Sequence, residues 1–261
     1  MSRVIENFNK YKYLLVELIK KDIKLKYRNS VLGIIWTLLE PLLTMIILTV
    51  VFTEVFDRQV ENFPVYVLIG RLIYSYFSNG TRSALKAVRS NSTMIRKVYV
   101  PKYIYPIATS LSSFIIFLIS LIVLVAVAIV QKVELTVYLF GVGVPLLALL
   151  LMTTGMGLIL ATMDVFFRDM EYLWGVVLMI IMYVSAIFYP AERLLASDNI
   201  WKQGLIRYNP LYAVIANFRN AVFGQPLDPF FTWYSIGFAL ITLAVGILVF
   251  YRKQDKFILY I

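Results

Sequence analysis

The residue types that could do chemistry in this chain are few. Its 261 residues include no histidine and no cysteine, which excludes zinc sites, histidine-ligated haem, cysteine nucleophiles, disulfides and Ser-His-Asp triads. No G-x-x-x-x-G-K-[ST] sequence is present, so the chain does not bind ATP through a P-loop. The sequence therefore predicts no catalytic residue, no metal site and no cofactor of the chain's own.

One group of acids could still be considered for catalysis. Asp164, Asp169 and Glu171 lie close together in the sequence, and a membrane-embedded glycosyl or phosphoryl transferase would need such carboxylates to hold a divalent metal. Arg168 lies four residues after Asp164 and next to Asp169. This placement favours ion pairing, and a metal pair is the alternative.

Two charged residues lie inside long apolar runs, namely Glu40 and Arg71. An intramembrane ionisable residue is a functional hypothesis, because burial of an unpartnered charge costs several kcal/mol. Glu40 precedes Pro41, where a broken helix would free a backbone carbonyl and admit water. Two interpretations stay open: a Glu40–Arg71 salt bridge between neighbouring helices, or two charges that line a water-accessible conduit.

Aromatic residues form clusters at the ends of the apolar runs. A conduit for sugars would use such rings, since they offer flat apolar faces together with a polar tip. The commoner use of these rings is a belt at each membrane interface. The candidates for lining a conduit, beside Arg71, are Tyr74, Tyr183, Phe188 and Tyr189.

Apolar helices must position these residues. Hydrophobic residues make up 61% of the sequence and charged residues 15%, with a mean hydropathy of +0.79, whereas soluble domains have about 45–50% and about 25%. A helix of about 20 apolar residues crosses a hydrocarbon core of about 30 Å. The sequence predicts an all-α integral membrane protein, a single transmembrane domain over 1–261, with six spans at 29–53, 62–81, 103–131, 135–163, 172–191 and 229–251.

The distribution of Lys and Arg orients these spans. With both termini in the cytoplasm, 18 of the 25 basic residues fall in cytoplasmic segments and 6 in outer segments, as the positive-inside rule requires. The net charge of +10 is therefore interpreted as loop charge at a membrane, not as nucleic-acid binding. We predict a multi-pass protein of the cytoplasmic membrane of a prokaryote.

Two segments predicted on the cytoplasmic side do not span. Residues 1–28 place apolar side chains at steps of three to five with lysines between them. This pattern predicts an amphipathic helix that lies on anionic headgroups or docks a partner. Residues 82–102 form a basic loop in which 83–89 favour a helix, and a simple solvated loop is the alternative.

The outer segment 190–228 is too long and too apolar to be a simple loop. Within it, 211–223 predicts a helix opened by Asn209-Pro210, because proline suits the first helical position. At 13 residues this helix cannot cross a membrane. We therefore predict short re-entrant or interfacial helices before the last span.

Three motifs, in chain order, resemble those of one family. Residues 26–36 (KYRNSVLGIIW), followed by Glu40-Pro41, look like the opening of the membrane subunit of polysaccharide ABC exporters. Those subunits carry O-antigen, capsular polysaccharide or teichoic acid on a lipid anchor. Residues 166–169 (FFRD) and 208–211 (YNPL) resemble the family's Phe-Arg-Asp box and its outer Tyr-Asn-Pro box. Glu40 departs from the family pattern.

The resemblance implies a half-transporter. Two copies of the chain would form the pore as a homodimer and bind two separate ATPase subunits, which would hold ATP and Mg²⁺. The helix within 82–102 would be the coupling helix that docks on the ATPase, through Arg82, Ser83, Leu85, Lys86 and Arg89. The first-span motif and the cytoplasmic mouth would comprise Arg28, Gly33, Trp36, Glu40, Pro41, Arg168 and Asp169. The segment 190–228 would form the outer gate, with Tyr208, Asn209 and Pro210.

The sequence and the resemblance together predict a non-enzymatic permease subunit. It would belong to an ATP-driven exporter that moves a lipid-linked polysaccharide across the cytoplasmic membrane, with energy transmitted allosterically from the ATPase. One alternative is the permease of a related ABC exporter for drugs, peptides or lipids. The others are the metal-dependent transferase and a purely structural membrane scaffold.

Overall fold

A computed structural model of the chain describes residues 2–28, 30–55, 62–97, 100–134, 136–191 and 199–260. Every regular element in these ranges is helical. Short 3-10 helices lie at Gly33–Ile35, Val137–Val142 and Gln254–Leu259. The α-helices are α1 (Ser2–Tyr27), α2 (Trp36–Val55), α3 (Phe63–Ser90), α4 (Ser92–Lys97), α5 (Ile104–Val130), α6 (Gly143–Phe166), α7 (Met170–Val184), α8 (Ile200–Arg207), α9 (Pro210–Val222) and α10 (Pro229–Lys253).

Four helical segments of the described chain are long and apolar enough to cross a membrane. They are Gly33–Phe52, Ile104–Val130, Val137–Phe166 and Pro229–Leu259, and each coincides with a predicted apolar run. Helices are the expected form for such runs, because every backbone polar group in lipid must be satisfied within the segment. The all-helical membrane class is confirmed, and the full count of six spans stays a prediction.

The predicted span at 62–81 lies in α3, which does not end where the sequence analysis placed its end. No glycine or proline follows Gly80 until the helix is complete, so α3 continues to Ser90. The helix ends where the Asn91 side-chain amide donates to the carbonyl of Ala87 at 2.8 Å. Residues 83–89 are therefore helical, as the sequence predicts, but they belong to α3, so the first half of the predicted loop 82–102 is the end of that helix.

The predicted span at 172–191 corresponds to the shorter helix α7. Its 15 residues extend about 22 Å at 1.5 Å per residue. The helix ends at Val184, and Ala186 follows with a φ of +46°. The hydroxyl of Ser185 donates to the carbonyl of Ile181 at 2.6 Å, which satisfies part of the helix end.

The centre of the fold consists of α3, α6 and α10, which approach one another at small residues. A Cβ added to Gly155 on α6 would lie 2.5 Å from the backbone nitrogen of Leu243 on α10, and one on Gly246 would lie 2.5 Å from the carbonyl oxygen of Gly155. A Cβ on Gly157 would lie 2.7 Å from that of Ala84 on α3. Glycines at helix crossings allow such close packing in membrane proteins.

Several helices expose apolar faces, and α2 and α7 are two of them. Only 11% of the apolar segment Gly33–Phe52, which contains most of α2, is buried within the chain. Its side chains Ile47 and Val50 are exposed. Val176 and Ile180 are exposed on α7 in the same way. Lipid or another protein surface must cover these faces, since a patch of this kind is unfavourable in water.

The N-terminal helix α1 agrees with the predicted amphipathic pattern. Leu18 is buried in a cluster that includes Tyr105 and Phe250, while Lys20 and Lys24 stay exposed on the other side. Lys21 donates to the side-chain oxygen of Asn91 at 3.2 Å, which links α1 to the turn between α3 and α4.

Candidate functional site

The first-span motif forms a sharp turn into α2. Gly33 has a φ of +51°, a conformation that glycine adopts without strain, and its N–H donates to the hydroxyl of Ser30 at 3.1 Å. Trp36 begins α2 with its side chain 44% exposed. Arg28 lies nearby on a basic surface with Lys20, Lys21 and Lys24.

Pro41 does not break α2, contrary to the sequence interpretation. The helix continues through it to Val55. A proline has no N–H to offer to the carbonyl four residues earlier, and here that carbonyl belongs to Thr37. The hydroxyl of Ser120 on α5 lies 3.1 Å from the Thr37 carbonyl oxygen and 3.0 Å from the Ile116 carbonyl oxygen of its own helix, so a neighbouring helix offers the Thr37 carbonyl a shared donor. The carbonyl freed by Pro41 is buried in a protein contact.

A cavity of about 240 Å³ lies between the end of α1 and helices α2, α3 and α5. We call it the charged cavity, because Lys26, Glu40 and Arg71 all line it. In the part of the chain that the structure describes, none of these three side chains forms an ion pair within 4 Å. The predicted Glu40–Arg71 salt bridge is therefore not formed, and both residues line a polar cavity.

The electrostatics of the charged cavity link Lys26 to Glu40. Partial burial lowers the pKa of Lys26, and the Glu40 carboxylate opposes this shift by favouring the charged ammonium. Burial also raises the pKa of the neighbouring Tyr27 hydroxyl, and Glu40 raises it further. Arg71 lies 6.0 Å from the centre of the Tyr74 ring.

A second charged group lies at the other end of α3. Arg89 Nε is 3.3 Å from Asp164 Oδ2, and Arg89 Nη2 is 3.4 Å from Glu171 Oε2. Lys86 Nζ is 2.5 Å from Glu171 Oε1. We call these four residues the paired cluster. They join the end of α3 to the end of α6 and the start of α7.

The paired cluster changes the interpretation of the predicted acidic group. Asp164 is fully buried and pairs with Arg89, so the predicted Asp164–Arg168 pair is wrong. Arg168 and Asp169 are exposed, and the Asp169 carbonyl oxygen accepts from the N–H of Tyr172 in the first turn of α7. In the ranges covered by the structure, no set of three or more acids is arranged to hold a metal.

The residues predicted for ATPase docking differ in how far their side chains are exposed at the protein surface. Leu85 is only 1% exposed, and Lys86 and Arg89 belong to the paired cluster. Arg82 and Ser83 are exposed near the end of α3. Sequence reasoning missed the acids that Lys86 and Arg89 contact, because Glu171 and Asp164 lie more than 70 positions away in the chain.

The predicted gate motif at 208–211 holds the start of α9. The side-chain oxygen of Asn209 accepts from the N–H groups of Leu211 and Tyr212 at 3.0 and 3.2 Å, and its amide donates to the Ser185 hydroxyl at 3.0 Å. Pro210 occupies the first helical position. This local cap explains why the helix begins where the sequence predicts, and it ties α9 to the turn after α7.

Tyr208 stays exposed at 62% and packs edge-on against Phe230 and Tyr234. Among the other candidate aromatic residues, Tyr74 is buried and donates to the carbonyl of Leu178 at 3.0 Å. Tyr189 donates to the carbonyl of Tyr183 at 2.6 Å. Tyr74 and Tyr189 thus connect elements of the fold, whereas the ring of Tyr183 is exposed. Phe188 stacks on Phe52 with ring centres 5.9 Å apart.

Arg219 is a residue whose importance the sequence analysis missed. It is one of the six basic residues that the sequence analysis places in outer segments. In the structure it lies on α9 and is only 5% exposed. Its guanidinium donates to the carbonyls of Tyr66, Ala186 and Ile187 at 3.0–3.3 Å. It also lies 3.4 Å from the centre of the Tyr66 ring. Arg219 thereby joins α9, α3 and the turn after α7 beside a polar cavity of about 700 Å³.

A bundle of long apolar helices with a polar cavity and an ion-paired helix end has the architecture of an integral membrane protein. The model of the family described as "ABC-2 type transporter" matches residues 13–223. The chain therefore belongs to the ABC-2 type transporter membrane family.

Several relatives match the chain along almost its whole length. It is 28% identical to an O-antigen export system permease protein RfbA of Klebsiella pneumoniae, with 94% of this chain and 93% of the relative covered. It is 26% identical to RfbA of Myxococcus xanthus, with 98% of each covered. It is also 26% identical to the polysialic acid transport protein KpsM of Escherichia coli, with 95% of this chain and 96% of the relative covered.

Proposed function

We propose that the chain is the permease subunit of an ATP-driven exporter that moves a lipid-linked polysaccharide across the cytoplasmic membrane. The observation that carries this proposal is the match, over more than nine-tenths of both chains, to permeases named for O-antigen and polysialic acid export. The charged cavity supports it, because a polar lining inside apolar helices suits a polar cargo that crosses a membrane.

A separate ATPase would drive the movement. The sequence has no P-loop, so the nucleotide and its Mg²⁺ would be held by the partner, in two copies per complex. We place the contact at the end of α3 and at α4, where Arg82 and Ser83 are exposed. The paired cluster would carry a displacement of this end to α6 and α7, since rigid helices joined by ion pairs move together.

The complete assembly would contain two copies of the chain. The exposed apolar faces of α2 and α7 suit contact with a second copy across the transport path, with lipid covering the remainder. In each copy, α3 and α7 would complete six spans, both termini would face the cytoplasm, and α1 would lie on the membrane surface. The outer gate would comprise Tyr208, Asn209 and Pro210, held in place by the caps of α9.

Purification of the full-length tagged chain from its native membrane tests the proposal. We expect an ABC ATPase to copurify in equal amount. The double variant Arg82→Glu with Ser83→Trp should reduce the amount of copurified ATPase at least tenfold. Insertion of the chain into the membrane should be unchanged. The matched control exchanges Lys253, an exposed residue at the end of α10, for Glu. Recovery of an active chain without any ATPase would contradict the proposal.

A further inference from the structure

A polar cavity of about 700 Å³ lies at the start of α3, beside the buried Arg219. We call it the outer cavity, because its wall includes parts of segments 132–134 and 190–228, which are predicted to lie outside the cytoplasm. The start of α3 lines this cavity, whereas the end of α3 belongs to the paired cluster. In the described chain, the outer cavity shares no lining residue with the charged cavity. It is therefore a separate site.

The turn after α5 places two opposite charges on the wall of the outer cavity. Lys132 has a φ of +55°, at the position after a helix end where glycine is usual. The N–H of Val133 donates to the carbonyl of Ala128 at 3.0 Å, which closes the helix end in this geometry. Lys132 and Glu134 are exposed, and neither forms an ion pair within the described chain. Both charged groups are therefore available to an occupant of the cavity.

The end of α9 and the residues after it supply neutral polar groups and a ring. Asn220 and Gln225 line the outer cavity with side-chain amides, which both donate and accept hydrogen bonds. Phe223 lines it with a partly exposed aromatic ring, whose faces are apolar. Carboxylates and amides bond to hydroxyl groups, and aromatic faces pack against C–H groups. A sugar ring carries both kinds of group, so this lining suits a sugar.

One hydroxyl in the wall has no partner of its own. Thr136 Oγ1 is buried and forms no hydrogen bond with the residues that the structure describes. Gly224 approaches this side chain closely, because it has a φ of +72° and a Cβ added to it would lie 2.8 Å from Thr136 Cγ2. Buried polar atoms are usually hydrogen-bonded, and an occupant that carries hydroxyls would provide the bond to Thr136.

The charges around the outer cavity favour a neutral ligand. Lys132 and Glu134 offset each other. The guanidinium of Arg219 donates to three backbone carbonyls, so its charge is directed into the protein. An anionic ligand would gain little from a wall in which the exposed cation is balanced by a carboxylate.

We propose that the outer cavity binds one neutral sugar ring, with hydroxyls held by Glu134 and Asn220 and one ring face on Phe223. Its volume falls within the range of about 300–1,000 Å³ that is usual for small-molecule sites. The inference deepens the proposed function and rests on it for the source of the sugar, which would be a unit of the emerging polymer. Binding itself requires neither the ATPase nor a lipid anchor.

Saturation-transfer NMR on the full-length chain, purified in a detergent without a sugar headgroup, tests the inference. The probes are the methyl glycosides of glucose, galactose and mannose, with glucuronic acid as the acidic sugar and cyclohexanol as a ring with one hydroxyl. We expect at least one neutral glycoside to bind more tightly than glucuronic acid, and cyclohexanol not to bind. Loss of charge-assisted hydrogen bonds in Glu134→Ala should weaken sugar binding about tenfold. Asp255→Ala, at an exposed carboxylate beyond the other end of α10, is the matched control and should bind the sugar unchanged.

A second variant separates ligand binding from a purely structural role. Thr136→Val keeps the shape that packs against Gly224 but removes the hydroxyl that has no partner in the described chain. Its free energy of unfolding without sugar should not fall, whereas its sugar binding should weaken several-fold. Lower stability with unchanged binding would show that the hydroxyl serves the fold.

Three results would overturn the inference: no binding of any neutral glycoside, tighter binding of glucuronic acid, or unchanged binding in both Glu134→Ala and Thr136→Val. None of them would touch the proposed export function, because the measurement uses neither polymer nor ATPase. Conversely, a chain that binds the sugar but whose loss leaves surface polysaccharide unchanged would contradict the export function alone.

Discussion

The paired cluster and the charged cavity both hold charged side chains beside apolar helices, but they differ in how those charges are compensated. In the paired cluster, Arg89 contacts the buried Asp164 and the partly exposed Glu171. In the charged cavity, Glu40 and Arg71 line one space without pairing. The difference separates two uses of charge: internal pairs fix helices to one another, while unpaired charges around a space are available to a ligand.

The largest effect on stability should come from the paired cluster. Arg89→Gln leaves the fully buried Asp164 carboxylate without its cation, and breaking a buried pair in this way costs about 3 kcal/mol or more. We expect the free energy of unfolding in detergent to fall by about 3 kcal/mol. Adding Asp164→Asn to Arg89→Gln should restore most of this loss, because no unpaired charge then remains.

Arg82→Gln, at an exposed site on the same helix, is the control for this prediction. It should change the free energy of unfolding by no more than about 0.5 kcal/mol. An Arg89→Gln protein as stable as the control would show that the paired cluster does not fix the end of α3.

A smaller effect is expected in the wall of the charged cavity. Ser120→Ala removes the hydroxyl that lies 3.1 Å from the Thr37 carbonyl, which Pro41 leaves without its usual donor. A buried carbonyl without a partner costs about 1–2 kcal/mol, to be measured by chemical denaturation. Ser113→Ala is the matched control, since the Ser113 hydroxyl donates within its own helix to Thr109 at 2.9 Å. Equal losses in the two variants would contradict the role of Ser120.

The smallest effect on stability should come from Arg71→Gln. Because Arg71 forms no ion pair in the described chain, its removal should change the free energy of unfolding by about 0.5 kcal/mol or less. The measurement is the same denaturation experiment used for Arg89→Gln. A loss as large as that of Arg89→Gln would mean that Arg71 is structural, and the distinction between the two regions would fail.

The sequence analysis predicted correctly the features that depend on residues close together in the chain. Apolar length indicated the four long helices, and the Asn209-Pro210 cap located the start of α9 within one residue. The spans at 62–81 and 172–191 were less well predicted. Continuation of α3 to Ser90 depends on the absence of a breaker after Gly80, while the loop prediction followed the change from apolar to basic composition.

The missed interactions connect residues that are distant in the chain. Asp164 was assigned to Arg168, four positions away, but its cation is Arg89 on another helix. Arg219 is one of the six basic residues that the sequence analysis places in outer segments, but it donates to carbonyls more than 30 positions away. Local spacing cannot identify such partners, since they are set by how whole helices pack. The same reasoning applies to Glu40 and Arg71, which line one cavity without forming the ion pair that the sequence analysis considered.

The most direct test of the proposed export function is to deplete this chain in cells and measure polymer on both sides of the membrane. We expect surface polysaccharide to fall while lipid-linked polymer accumulates inside, because synthesis continues without export. Re-expression of the wild-type chain should reverse both changes. Unchanged surface polysaccharide with no internal accumulation would contradict the assignment of this chain as the permease.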